Sequence, residues 1–249
     1  MITAFATRAE RLERLDLSDR HLGDATWIDL SCPTEAEEDA VEAALGIDIP
    51  TREDMQEIEV SSRIYREKGA LFLTAQVVAS HEARDTEIGP VTFVVLPKRL
   101  VTVHYHHPGS MKYFADWAAR HDTPLASGLA ILLAMLEAVV DRLADILEGE
   151  ARRHDVLSTA IFAAHRPSGK AETLPVVLQR IGRAEDLNGK VNESLGTLLR
   201  LVGYLVAASD PSGSPVLAAA EKATAHVLLE DIRSLREVAV VQADKVRFL

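Results

Sequence analysis

The sequence predicts an α+β protein: an N-terminal α/β domain with a small mixed sheet flanked by helices, followed by long helices that form a hairpin and the top of a stalk. Three observations predict it. The composition changes near residue 124, which divides the 249 residues into 1–124 and 125–249. Before that point lie apolar, β-branched runs bounded by turn residues. After it, apolar residues recur every three or four positions with few breaks, the period of a helix with one apolar stripe.

In the first part ATWIDL (25–30) reads as a strand. Thr34, with Glu37 and Glu38 close behind it and Pro33 before it, marks a helix start, and Gly46 its end. Thr51 is the N-cap of a second short helix, with Glu53 and Asp54 in its first turn, where the helix dipole favours acids. VSSRIYREKG, ALFLTAQVVAS, GPVTFVVLP and RLVTVHY are extended runs. Pro97 and Lys98 lie in a tight connection between the last two, HEARDTEIG (81–89) is a longer acidic loop, and SMKYFADWAAR (110–120) is a short helix. Glu57, Glu59 and Arg63 are expected to form surface or inter-element ion pairs of small individual value.

In the second part Leu129, Leu132, Leu136, Val139, Leu143 and Ile146 make one stripe. The spacing predicts helices over about 126–164, about 172–208 and from about 216 to the last residue, with HRPSGKAETLP and DPSGSP as the breaks. Each of the two longest would span roughly 50 Å at about 1.5 Å per residue. Amphipathic helices of that length need partners along them, as a hairpin, an oligomeric stalk or both. ADKVRFL stops in mid-pattern, so the natural chain is expected to continue past Leu249.

Composition narrows the function classes. A formal net charge of −11 repels nucleic-acid phosphates and anionic lipid headgroups and attracts cations. One cysteine, Cys32, rules out an internal disulfide and a cysteine-built zinc site, and is expected to be a small, half-buried packing residue. The N-terminus carries no signal-peptide pattern. LAILLAML (129–136) and LVGYLVAA (201–208) fall far short of the roughly 20 apolar residues that span a bilayer.

Several groups invite chemistry. His104 and His106 fall on one strand face, where two histidines can begin a metal site, but no partner carboxylates are evident and solvation at a strand end is the plainer expectation. Ser61, Ser62 and Ser127 sit in no nucleophile-elbow pattern, and no phosphate-binding glycine loop is present. Asp141 and Asp145 are one turn apart around Arg142, a pattern that fits a solvated helix face better than an acid–base pair. Two acidic clusters remain: Glu82, Asp85 and Glu87 beside a strand, and Glu230, Asp231, Glu237 and Asp244 on the last helix. Carboxylates on two elements can hold a hard divalent cation through oxygen.

WIDLSCPTEAEEDAVEAALGIDIPTREDMQEIEVSSRIY, ALFLTAQVV, GPVTFVVLPKRLVTVHY, LLAMLEAVVDRLADILEGE and LLEDIRSLREVAVVQADKVRFL, in that order, resemble the cytoplasmic part of the CorA family of divalent-cation channels, including its zinc-linked branch. The resemblance implies a homopentamer on the cytoplasmic face of the inner membrane. A stalk helix leads there to two membrane helices and a Gly-Met-Asn signature, none of which is in this sequence. It implies no enzymatic reaction and no nucleic-acid partner. It implies instead a divalent cation (Mg²⁺, Co²⁺ or Zn²⁺), both cargo and regulatory ligand, bound between subunits to favour the closed state. The candidate metal residues are Glu230, Asp231 and Asp244 on the stalk and Glu82, Asp85 and Glu87 on the α/β side. A soluble metal-dependent hydrolase built on the histidines and a coiled-coil adaptor are the alternatives.

Overall fold

The computed structural model describes residues 1–16, 22–57, 59–79, 86–123, 125–163, 173–209 and 216–247. Seven strands form one mixed sheet: β1 (Ile2–Arg8), β2 (Arg11–Arg14), β3 (Trp27–Ser31), β4 (Ile64–Glu67), β5 (Ala70–Ala79), β6 (Glu87–Leu96) and β7 (Arg99–His104). Their spatial order is β2-β1-β3-β7-β6-β5-β4. Only β3 and β7 run parallel. The helices are α1 (Glu35–Leu45), α2 (Arg52–Gln56), α3 (Val60–Arg63), α4 (Gly109–Ala118), α5 (Gly128–Ala163), α6 (Leu174–Ala207) and α7 (Ala219–Arg247).

The expected caps form. Thr34 and Glu37 close a capping box on α1, and Gly46 ends it in the left-handed conformation (φ 68°). Thr51 and Asp54 do the same at the start of α2. The β1–β2 hairpin carries no turn signature. Ala9 and Glu10 form its two-residue loop at φ 47° and 63°, a geometry that usually recruits Asn-Gly, so TRAERLERL does not advertise a hairpin. VSSR, expected to be extended, makes the short helix α3 instead. Among the described residues Arg63 makes no ion pair with a glutamate, and its Nε donates to the Glu57 carbonyl at 2.7 Å. Cys32 is exposed rather than half-buried, at φ 43°.

The central strands β5, β6 and β7 are buried on both faces, so they are apolar almost throughout. Val94, Val101 and Val103 pack with Ile28, Leu30, Val41 and Met55 on the α1–α2 side. Leu73, Phe93, Leu100 and Trp27 face α4 and the long helices, where they join Leu132, Leu136, Leu198 and Ile232 in one core. That core draws on both 1–124 and 125–249.

Two contacts fix the long helices to the sheet. β4 pairs with β5 only through Leu73, so beyond it the β5 edge needs another partner. At Gln76 the backbone N–H donates to Thr197 Oγ1 (2.9 Å) and Ser194 Oγ donates to the Gln76 carbonyl (2.7 Å), both from α6. At the start of α5, Gly128 presses on the β6–β7 turn. A Cβ there would lie 2.2 Å from the Arg99 carbonyl oxygen and 2.4 Å from that of Leu96, both rigid backbone. Gly128→Ala is therefore expected to lower stability by about 1–3 kcal/mol, the range for overpacking, as a shift in the urea midpoint. An unchanged midpoint would mean that α5 does not abut the turn.

Candidate functional site

The histidines settle into the sheet rather than into a metal site. His104 is 3% exposed, so the expectation of strand-end solvation is corrected. Its Nε2–H donates to Asp29 Oδ1 at 3.1 Å and its Nδ1–H to the His106 carbonyl at 2.5 Å. Both ring nitrogens face acceptors, the pattern of an imidazolium. Burial opposes that charge, but Asp29 and the His106 carbonyl outweigh it and hold the pKa above the ordinary histidine value. Asp29 Oδ1 also accepts from Thr102 Oγ1 (2.5 Å), which accepts from Trp27 Nε1 (3.0 Å). His106 is tied to the Val77 carbonyl (2.9 Å). Asp29 is the partner carboxylate that the local sequence does not reveal, 75 positions from His104. These histidines knit β3, β7 and β5 together.

Acidic side chains gather elsewhere, where α5 runs beside α7. Glu137, Asp141 and Asp145 recur every four residues along α5, one row on one helix face. All three are exposed, as is Asp231 on α7. Partial desolvation, then Asp141 and Asp231, push the Glu137 pKa upward. Partial desolvation, then Asp145 and Asp231, push that of Asp141 upward. Among the described residues the cation paired with this row is Arg142, 3.9 Å from Asp145. The result is a negatively charged strip across two helices whose carboxylates resist ionising together.

Of the six residues singled out in the sequence, Asp231 is brought into this company. Glu230 is exposed and pairs with Arg233 (2.5 Å), and Asp244 with Arg247 (3.4 Å), each within its own helix. Glu87 begins β6, exposed and opposite Ala79. Glu82 and Asp85 lie outside the described residues. Among the described residues no three His, Cys, Asp or Glu side chains converge closely enough to cage a metal ion. The strip suits a hard cation that keeps much of its water shell, as Mg²⁺ does, touching one or two carboxylates at a time. Glu137 was not singled out, although its place four residues before Asp141 is legible in the sequence.

Among the described residues no helix is long and apolar enough to cross a membrane. On α7, Val227, Val238 and Val241 are exposed at 63%, 41% and 56%. With Asp231 and Ser234 between them they follow a three–four spacing along one face of the helix.

The sequence profile of the family described as CorA-like Mg2+ transporter protein matches residues 23–247. The Magnesium transport protein CorA of Haemophilus influenzae is 25% identical over 249 residues, which cover 100% of this chain and 76% of that protein. The soluble domain of CorA from Methanocaldococcus jannaschii superposes with a TM-score of 0.79 at 14% identity, over 100% of this chain and 94% of that one. The ZntB cytoplasmic domain from Vibrio parahaemolyticus superposes at 0.65 and 11% identity, over 99% and 93%. These last two likenesses establish the fold.

The His104–Asp29 pair gives a pH-dependent expectation. A histidine pKa raised by folding adds stability in full below its unfolded value near 6.5, and loses it as pH rises through the folded value. Asp29→Asn is expected to cost about 3–5 kcal/mol, the range for breaking a buried pair, at pH 6. The cost should shrink as pH climbs above the folded pKa. Denaturant titrations at both ends of that range check it; a pH-independent difference would contradict an imidazolium at His104.

Proposed function

The chain belongs to the CorA-like Mg2+ transporter family, and on that premise we propose that it is the cytoplasmic sensor domain of a divalent-cation channel. The cation is both the ion transported and the regulator. It rests on the acidic strip of α5 and α7, completed by carboxylates of a neighbouring copy, and favours the closed arrangement of subunits.

The single observation that carries this reading is the placement of Asp231 on α7 beside the α5 row Glu137, Asp141 and Asp145, in a chain whose residues 23–247 match the family profile. Like charges that outnumber their counter-ions favour whatever neutralises them, and a divalent cation does so without a proton. By linkage, an ion that binds one subunit arrangement better must favour it. When the ion is scarce the strip is left uncompensated and repulsion favours separation.

The valine face of α7 supports a second copy as the partner, since apolar residues at that spacing gain by packing on another helix. Asp231 lies within this face, so an interface there would place carboxylates of two copies near one another. Mg²⁺ is the ion that the relatives' names favour; Co²⁺ and Zn²⁺ are weaker alternatives. Membrane attachment through segments outside this sequence, at the cytoplasmic face of the inner membrane, completes the proposal. No covalent chemistry is assigned.

Two outcomes follow from this arrangement. About 10 mM Mg²⁺ is expected to raise Tm by roughly 2–4 °C at pH 7.5, the shift for about 1 kcal/mol of preferential binding in a chain this size. The rise should shrink as pH falls toward 4, since carboxylates with raised pKa values take up protons before ordinary ones, and in an Asp231→Asn, Glu137→Gln double variant. A rise that is absent, or equal in the variant, would refute the site. In sedimentation velocity the 249-residue chain is expected as a monomer or small oligomer; a tight pentamer without metal would show that assembly does not need the cation.

A further inference from the structure

Farther along the same helix pair the α5–α7 seam turns polar inside. The two helices run in the same direction: Ser127 bonds to Glu221 at their starts, and Gln242 Nε2 donates to the Leu147 carbonyl (3.0 Å) near the end of α7. One turn beyond Leu147, Glu150 and His154 are each only 5% exposed. Arg153 Nε donates to Glu150 Oε1 at 2.6 Å. The other oxygen, Oε2, faces His154 Nε2 at 3.7 Å, too far for a hydrogen bond. Neither His154 ring nitrogen has a partner among the described residues, and Gln242 Oε1 is likewise buried and unmet. Leaving such atoms bare costs about 1–3 kcal/mol each, and an ion or water is the usual resolution.

We propose that Glu150 and His154 bind a first-row divalent transition ion inside a single chain, through Glu150 Oε2 and His154 Nε2, with Gln242 Oε1 or water as further oxygen donors. The spacing of four residues puts both side chains on one face of α5. Donors each about 2.0–2.2 Å from a tetrahedral ion lie roughly 3.3–3.6 Å apart, so the observed 3.7 Å needs only a slight rotation to close. Arg153 orients the carboxylate so that Oε2 is the free oxygen, the role of an outer-shell partner. A neutral imidazole at His154 offers a lone pair on Nε2 to the metal. An imidazole ligand selects Zn²⁺, Co²⁺ or Ni²⁺ over Mg²⁺. The pair lies about 20 Å along α5 from Glu137 and needs no second subunit, so it stands or falls apart from the acidic strip.

The test is a zinc titration of the metal-free 249-residue chain against a chromophoric chelator. Uptake of about one Zn²⁺ per chain is expected. Binding should weaken at least roughly tenfold in His154→Ala and in Glu150→Gln, the loss typical when a metal site is damaged. It should be unchanged in His226→Ala and unaffected by about 10 mM Mg²⁺. No zinc uptake, equal affinity in the variants, or displacement by Mg²⁺ overturns the site. A measurement on the unaltered chain guards against misfolded variants: Co²⁺ should bleach amide NMR signals around residues 150–154 and 242. Bleaching confined to other histidines would overturn the proposal.

Discussion

The constraint on which the rest depends is that the central strands of the sheet have no free face and that β5, past Leu73, has no bare edge at Gln76. Both surfaces of β5, β6 and β7 are covered, and past Leu73 the edge of β5 is finished not by a strand but by two hydroxyls of α6. An unpaired backbone amide and carbonyl inside such a core would be costly. Thr197 and Ser194 therefore hold α6 at one height on the sheet, while Gly128 holds α5 against the β6–β7 turn. With α5 and α6 fixed, α7 is set by packing against both, through Ile232, Ala239 and Val246, which are buried. The acidic strip thus sits on helices that are packed against one another and anchored to the sheet.

Two electrostatic solutions coexist in this chain. In the sheet, charge is buried with its partner: His104 and Asp29 satisfy each other, and Thr102 and Trp27 extend the network. On α5 and α7, like charges are left beside one another at the surface, with raised pKa values as the cost. The first is a structural device, since both ring nitrogens of His104, the Thr102 hydroxyl and Trp27 Nε1 all find partners. The second leaves an excess of negative charge that Arg142 alone offsets among the described residues, and the proposed cation would neutralise the remainder.

Much of this was legible in the sequence because the signals are local. Thr34 with Glu37, Thr51 with Asp54, the glycine at 46 and the Pro97–Lys98 turn each specify their geometry within a few residues. The three long helices follow from apolar spacing alone. What was not legible depends on residues far apart or on unmarked backbone. Ala9 and Glu10 take left-handed conformations without glycine or asparagine, so the first hairpin was hidden. His104 finds its carboxylate on a parallel neighbour strand brought beside it only by folding. Asp231 acquires meaning only when α7 is laid against Glu137 and Asp141, which helix periodicity along one segment cannot report.

The most direct test of the central claim, that a divalent cation rests on the strip of α5 and α7, is anomalous diffraction from crystals soaked in Mn²⁺, an oxygen-seeking stand-in for Mg²⁺. The account predicts a manganese peak beside Asp231 within reach of Glu137 or Asp141, directly or through bound water. Peaks found only elsewhere, with that strip bare, would contradict it.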